Sequence, residues 1–405
     1  MEKLVEEIYL TKNFINRSNN MINLTDCQKI AIKKAITWYF DQNKKPYFIL
    51  AGLAGTGKST VASTAVKMMG LSNYQVLYVT PTGKAASVLR SKGCVANTIH
   101  SMFYRVVQGE NGKIFFSRKP TIPNTIKLIV IDEVSMVNKR IMDDIMKYGI
   151  PMLCLGDPGQ LPAMFYPNTY LYDEQDVFLD QIMRQQGESS ILKLANMARI
   201  GEEIPFGKYG SDGNVVHIKD IHDYEKYDVV LTWTNSTRKE INKLIRNKLG
   251  YKSVYPIAGE KIICLKNSYM YEMDCGDEMI LSPVNGMGLT ALADHRESTN
   301  GQNNDYFMLK FSPDFIKDRY WECPISRIPF EAYLDMRDYE DEIINIPQFQ
   351  VVLDFGYAVT VNKSQGSEYG DVLLIDEFRG SDKDYAKWLY TGITRAKKSI
   401  TIARF

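Results

Sequence analysis

Short unbroken apolar runs alternate along the first half of the chain with longer stretches that suit helices. YFILAG, VLYVT, LIVID and MLCLGD read as buried parallel strands, because a strand covered on both faces shows no polar alternation. AIKKAITWYF, VASTAVKMM, KAASVLRS and NKRIMDDIMKY lie between them and are helix-compatible. This rhythm predicts a doubly wound parallel α/β domain over residues 24–185, after an N-terminal segment 1–23. One stretch inside it, FYRVVQGENGKIFFSRKP, predicts instead a hairpin over about 103–121 turning at Asn111-Gly112. The α/β rhythm returns after SSILKLANMARI, in VVLTWTN from about Asp228 and a helix carrying Ile241, Leu244, Ile245 and Leu249, and again in SITIARF. Residues 186–254 and 350–405 are therefore expected to be a connector and the two parts of a second such domain. Between them, over 255–349, KIICL, EMILS, YFMLKF and RYWEC are separated by glycine, asparagine and proline, which predicts a small β-barrel insertion. DYEDE at 338–342 reads as a solvated connection.

Composition narrows the class. At 405 residues, 45% hydrophobic and 24% charged, the chain has material for two to four globular domains. Its six cysteines contain no C-x-x-C pair and its histidines number four, which argues for reduced thiols and against zinc or a disulfide framework. MEKLVEEIYLTKNF begins with acids where a secretory signal needs bases, and no apolar run reaches membrane-spanning length, so a cytoplasmic location is expected, the host's for a viral chain. A net charge of +1 gives no global pull on nucleic acid, and any such binding needs a local basic groove.

The chemistry starts in GLAGTGKST, residues 52–60. Gly52, Gly55 and Gly57 let the backbone curl around a phosphate, Thr56 lies within the curl, Lys58 neutralises the charge, and Ser59 and Thr60 open a helix; this is the Walker A spacing. Ser59 is expected to complete the coordination of Mg²⁺. A strand that ends in Asp132-Glu133 supplies the complement: Asp132 for the metal, and Glu133 to orient or deprotonate an attacking water.

LTDCQK at 24–29, TPTGKAASVLR from Thr80, TIHS from Thr98, LGDPGQLP from Leu155, DQIMRQ ending at Gln185, LTWTNSTRKEIN from Leu231, YAVTVNKSQGSEYGDV from Tyr357 and LYTGITRAKKS from Leu389 follow in order. Together they resemble superfamily 1 helicases, most closely the 5′→3′ branch, superfamily 1B, that includes the RecD-like and Dda-type phage enzymes. The likeness runs from residue 24 to the end and is loose between about 255 and 350. It implies two RecA-like motor domains, a β-hairpin pin and an SH3-like insertion, with Mg²⁺-ATP hydrolysis coupled to movement on single-stranded DNA. Implied partners are single-stranded and tailed duplex DNA, with single-strand-binding or replication proteins, and a monomer suffices.

The resemblance also assigns residues. Gln28 corresponds to the glutamine that reads the adenine edge, although an exposed helix-start glutamine would look the same in sequence. Gln160 corresponds to the γ-phosphate sensor, with Asp157 fixing its loop; Arg184 and Arg395 correspond to arginines brought to the γ-phosphate, the second from the other motor domain. Gly366 and Glu368, with Gln365, fall in the segment that couples DNA to nucleotide. Thr82, Lys84, His100, Ser101, Thr360, Lys363 and Ser364 would contact the DNA strand. Phe115 and Phe116 are candidate stacking residues of the pin, or a hairpin that only packs on the core. Asn362 stands where relatives usually have histidine, and no role carries over to it. The alternatives are a translocase or clamp that uses ATP without unwinding and, from the Walker A loop alone, a small-molecule kinase.

Overall fold

The computed structural model describes residues 24–91, 93–108, 114–162, 174–181, 189–268, 270–271, 273–274, 280–297, 305–314 and 319–405. The chain divides into two compact units, one running to Pro81 and resuming over Ala85–Gly187, the other made of Thr82–Lys84 and Glu188–Phe405.

The first unit starts at α1 (Asp26–Phe40), which a capping box ties off: Gln28 N donates to Thr25 Oγ1 and Thr25 N to Gln28 Oε1. There follow β1 (Tyr47–Gly52), α2 (Lys58–Met68), β2 (Val76–Thr80), α3 (Gly83–Ser91), β3 (Ala96–Thr98) and the short α4 (Ile99–Phe103). Next come β4 (Tyr104–Gln108), β5 (Ile114–Arg118), β6 (Leu128–Ile131), α5 (Lys139–Met146), β7 (Met152–Gly156) and β8 (Val177–Leu179). The order β3-β2-β6-β7-β1-β8 makes one sheet, and every pairing in it is parallel. Alternate residues of each strand feed two separate cores. Phe48, Leu50, Val130 and Leu153 pack with Ile32, Ile36 and Val61 of α1 and α2, whereas Ile49, Ile131 and Cys154 pack with Met142 and Ile145 of α5. Burial on both faces is why these strands carry no polar alternation. β4 and β5 form a separate antiparallel ribbon, Tyr104 opposite Arg118 and Val107 opposite Phe115, while the Asn111-Gly112 turn lies outside the described residues.

The second unit holds α6 (Ser190–Ile200), β9 (Gly207–Tyr209), β10 (Gly213–His217), β11 (Val229–Thr232) and α7 (Asn235–Lys248). Its middle contains β12 (Lys261–Cys264), β13 (Met273–Asp274), β14 (Ile280–Leu281), β15 (Gly288–Ala291), β16 (Arg296–Glu297), β17 (Tyr306–Pro313), β18 (Trp321–Ser326) and α8 (Ile328–Asp335). It ends with β19 (Leu353–Phe355), β20 (Ala358–Thr360), the single turn α9 (Val361–Ser364), β21 (Tyr369–Asp376), α10 (Asp382–Ile393) and β22 (Ala396–Arg404). One sheet, β20-β11-β21-β22-β10-β9, is parallel except for β9; a second, antiparallel sheet joins β16-β17-β15-β12-β19 with β18 on β17.

Two boundaries differ from the sequence reading. β10 pairs with the C-terminal β22, so this α/β sheet recruits chain well before Asp228. The antiparallel sheet takes its edge strand from Leu353–Phe355, beyond the expected end at 349. The stretch VVLDFGYAVT serves two sheets. The switch is Gly356, where a Cβ would sit 2.9 Å from the Ile262 backbone carbon. DYEDE is likewise more than a solvated connection: its acids are exposed, but Tyr339 is buried and receives a hydrogen bond from Arg238 at 2.8 Å. No helix among the described residues is long and apolar enough to cross a membrane.

Candidate functional site

Three neighbouring parallel strands, β6, β7 and β1, end together, with Ile131 opposite Cys154 and Ala51 opposite Gly156. The loops that follow them carry Asp132-Glu133, Asp157–Gln160 and the glycine-rich turn. Open parallel sheets present ligand sites at such carboxyl ends.

After β1 the backbone passes through left-handed conformations at Gly55 and Gly57, with φ of 78° and 82°. α2 then starts at Lys58 without a side-chain cap, so its first amides keep their capacity for an anion. Lys58 Nζ donates to the carbonyls of Gly52 (2.8 Å) and Leu53 (3.0 Å), which folds the ammonium over the loop it would serve. Thr56 is buried; its hydroxyl donates to Leu53 O at 2.8 Å. Ser59 and Thr60 are half-buried in the first turn of the helix.

Gln28 is buried against this loop. Its Nε2 donates to Thr56 O at 3.0 Å while Oε1 accepts from Thr25 N at 3.1 Å, so one amide both caps α1 and braces the turn. Each of its polar atoms keeps one further hydrogen-bonding valence. The bracing has a consequence for Gly57, where a Cβ would stand 2.7 Å from Gln28 Nε2. Gly57→Ala is expected to lower the unfolding free energy by about 1–2 kcal/mol through left-handed strain alone, and by more through the clash. In denaturant titrations a second change, Gln28→Ala, should recover only the steric part; full recovery would mean that the backbone conformation costs nothing.

At the end of β6, Asp132 N donates to Val79 O and Asp132 Oδ1 accepts from Glu133 N at 2.9 Å. Glu133 has φ of 55° and ψ of 43°, a conformation that a side chain with a Cβ adopts at a cost of about 1–2 kcal/mol. Past β7, buried Asp157 accepts from Gly159 N at 2.9 Å and from Gln160 Nε2 at 3.4 Å. Gln160 is only 4% exposed, and its Oε1 has no hydrogen-bond partner among the described residues. An orphaned buried acceptor is costly, which marks this amide as one awaiting a donor.

Of the other assigned residues in this unit, His100 stacks on Tyr104 at 5.4 Å and meets Phe116 edge-on at 5.3 Å. Burial pushes its pKa below the ordinary value, so the ring is neutral at pH 7. Exposed Ser101 donates its hydroxyl to Thr98 O at 3.0 Å and receives Lys119 on its own carbonyl. Phe116 is exposed on the ribbon. The side chain of Phe115 and the whole of Arg184 lie outside the described residues. Thr82 is half-buried ahead of α3, and Lys84, also half-buried, is on that helix; both are grouped with the second unit.

In the second unit, Thr360 caps α9 by accepting from Lys363 N at 3.4 Å. Ser364 is fully buried and donates to Val361 O at 2.7 Å, which makes it a lock for the turn rather than a surface contact. Burial lowers the Lys363 pKa and nearby Arg238 lowers it further, against Glu340 and Asp354. Gly366 has φ of 71°, buried Gln365 precedes it, and Glu368 pairs with Lys397 at 2.9 Å. Arg395 is buried beside them: Nε donates to Thr391 O (3.0 Å), Nη1 to Ser367 O (3.1 Å) and Nη2 to Thr394 Oγ1 (3.2 Å). The arginine is thus tied to the SQGSE segment within its own unit. Sequence reasoning passed over Arg238, Asn242 and Asp354, buried polar groups clustered around α7, because a polar residue on a helix looks exposed until its partners are known.

Residues 23–220 match the family model described as an AAA domain, and residues 355–403 that of a UvrD-like helicase C-terminal domain. An uncharacterized protein, R530 of Acanthamoeba polyphaga mimivirus, is 28% identical over 267 residues, covering 51% of this chain and 53% of its own. The ATP-dependent RecD2 DNA helicase of Deinococcus radiodurans is 22% identical over 364 residues, covering 86% of this chain and 46% of its own. The chain therefore spans about half the length of these curated relatives. Among solved structures, the Pif1 helicase from Candida albicans superposes with a TM-score of 0.54 at 16% identity over 95% of both chains, a likeness of fold.

Proposed function

We propose that this chain, which through its AAA and UvrD-like helicase C-terminal domains belongs to superfamily 1B of the helicases, hydrolyses ATP to move along single-stranded DNA and open duplex ahead of it. The observation that carries the reading is the meeting of the Lys58 loop, the Asp132-Glu133 pair and the buried Gln160 amide, whose Oε1 has no partner among the described residues, at three adjacent strand ends. A simple nucleotide-binding protein needs only the first.

The donor set fits a magnesium nucleotide. Ser59 and Asp132, a hydroxyl and a carboxylate, are the hard oxygen ligands that would hold Mg²⁺, which when bound neutralises charge between the phosphates. Lys58 would leave the Gly52 and Leu53 carbonyls for phosphate oxygens, and the amides of the loop and α2 would cradle them. Gln28, already fixed by Thr25 and Thr56, would present its remaining valences to the adenine edge. Glu133 would take a proton from, or orient, the attacking water, and Gln160 would hold water or γ-phosphate with its free acceptor and amide. Arg184 and Arg395 are assigned to the charge that builds on the γ-phosphate.

On the DNA side, the proposed strand contacts are Thr82, Lys84, His100 and Ser101 with Thr360 and Lys363; Ser364 acts by locking its turn. The ribbon β4–β5, with Phe115 and Phe116, is the proposed pin, and the antiparallel sheet of the second unit the SH3-like insertion. A monomer working with single-strand-binding or replication proteins, in replication, recombination or repair, fits this reading. The test is unwinding of duplexes bearing a 5′ or a 3′ single-stranded tail, with Glu133→Gln as the control. Unwinding from the 5′ tail alone is expected. Preference for the 3′ tail would remove the branch assignment, and DNA-stimulated ATP turnover with no unwinding from either end would leave a translocase.

A further inference from the structure

One face of α7 is polar where a core-facing helix should be apolar. Arg238, Asn242 and Arg246 recur every four residues and are all buried. Their partners lie at the places where the chain enters and leaves the antiparallel sheet. Arg246 Nε donates to Glu260 Oε1 at 2.7 Å, one residue before β12. Arg238 pairs with Asp354 of β19, and the Tyr339 hydroxyl bonds to both. Asn242 treats Ala358 as a neighbouring strand would: Oδ1 accepts from Ala358 N at 2.9 Å and Nδ2 donates to Ala358 O at 3.1 Å. Since β20 is the edge of its sheet, the Asn242 carboxamide occupies hydrogen-bonding groups that an edge strand would leave open.

A buried ion pair contributes little over well-packed apolar residues, and its demonstrable use is to fix one arrangement among several. Here the arrangement is short-range. β20 runs from Ala358 to Thr360, Thr360 caps the turn that bears Lys363, and β19 precedes β20 by only Gly356 and Tyr357. We infer that Asn242 and the Arg238–Asp354 pair are positioning residues for the Thr360–Ser364 loop, holding it and the antiparallel sheet to the second α/β sheet as one piece, so that the loop grips DNA in a set register. The inference rests on the helicase reading for the DNA, but not for the mechanical linkage.

The full-length chain is compared with Asn242→Ala and with the triple variant Arg238→Met/Asp354→Leu/Tyr339→Phe, which replaces the pair by apolar side chains of similar bulk and removes the buried hydroxyl that bonds to both. Two readouts are taken. Amide hydrogen exchange over residues 358–364 should accelerate by about tenfold or more, with β11 and β21 unchanged. The oligo-dT concentration that half-saturates ATP turnover should rise by about tenfold while kcat at saturation stays within about twofold. Unchanged exchange, or a uniform loss of protection across the sheet, overturns the positioning role. A native chain that binds oligo-dT alongside variants that bind it equally well overturns it too. A native chain with no affinity for oligo-dT instead overturns the functional reading, and the exchange data still decide the linkage.

Discussion

Glu133→Gln is expected to lower kcat for ATP hydrolysis by about a thousandfold, within the range of roughly 10²–10⁴ for a removed general base, while nucleotide affinity changes little. Glutamine keeps the length and shape of glutamate and loses the negative charge and, with it, the ability to take a proton. It also keeps the backbone demand, because Glu133 adopts its left-handed conformation with the Asp132 carboxylate bonded to its amide. Stability should therefore be unchanged in Glu133→Gln. Glu133→Gly should lose the same activity yet gain up to about 1 kcal/mol in unfolding free energy, since glycine accepts positive φ without strain. Single-turnover hydrolysis and denaturant titrations on the three proteins measure both effects. A Glu133→Gln protein that turns over ATP within tenfold of native would dismiss this carboxylate as the base.

Arg395→Ala is expected to cost about 10³ or more in kcat, the magnitude associated with an arginine that stabilises a transferring phosphoryl group. Arg395→Lys should recover little, because an ammonium cannot reproduce the planar fork. The substitution also has a structural cost. Arg395 donates to the carbonyls of Thr391 and Ser367; Thr391 O keeps the Thr394 hydroxyl as a donor at 2.9 Å, so the loss falls on the buried Ser367 carbonyl and costs about 1–3 kcal/mol. Hence stability and activity have to be measured together. The catalytic reading requires that the rate loss persist at temperatures where the variant is fully folded and saturated with nucleotide. A rate that returns to near native on cooling would reduce Arg395 to a strut for the SQGSE segment.

Local chemistry was legible from the chain itself. Glycines at 52, 55 and 57 before Lys58, and a carboxylate pair closing an apolar run, announce themselves because each group acts through its own type and spacing. The alternation of apolar runs with helical stretches likewise forecast the parallel sheet of the first unit, since burial on both faces writes an unbroken apolar signature. Element switches and buried polar partners were not legible. β10 has the look of a connector until β22, almost two hundred residues later, pairs with it, and VVLDFGYAVT parts into two sheets at a glycine chosen for its approach to the Ile262 backbone.

What the amino-acid order determined alone, then, is the inventory: a glycine-rich loop closed by a lysine, a pair of acids after an apolar run, and the glutamines and arginines proposed for a nucleotide. Only the tertiary structure decided adjacency. It brought β6, β7 and β1 side by side, buried the Gln160 oxygen with no partner among the described residues, and turned Arg238 and Asn242 from helix-surface residues into ties between two sheets. The physical reason is that residue type and spacing act over a few positions, whereas strand pairing and charge burial are settled by groups far apart in the chain whose meeting no local pattern encodes.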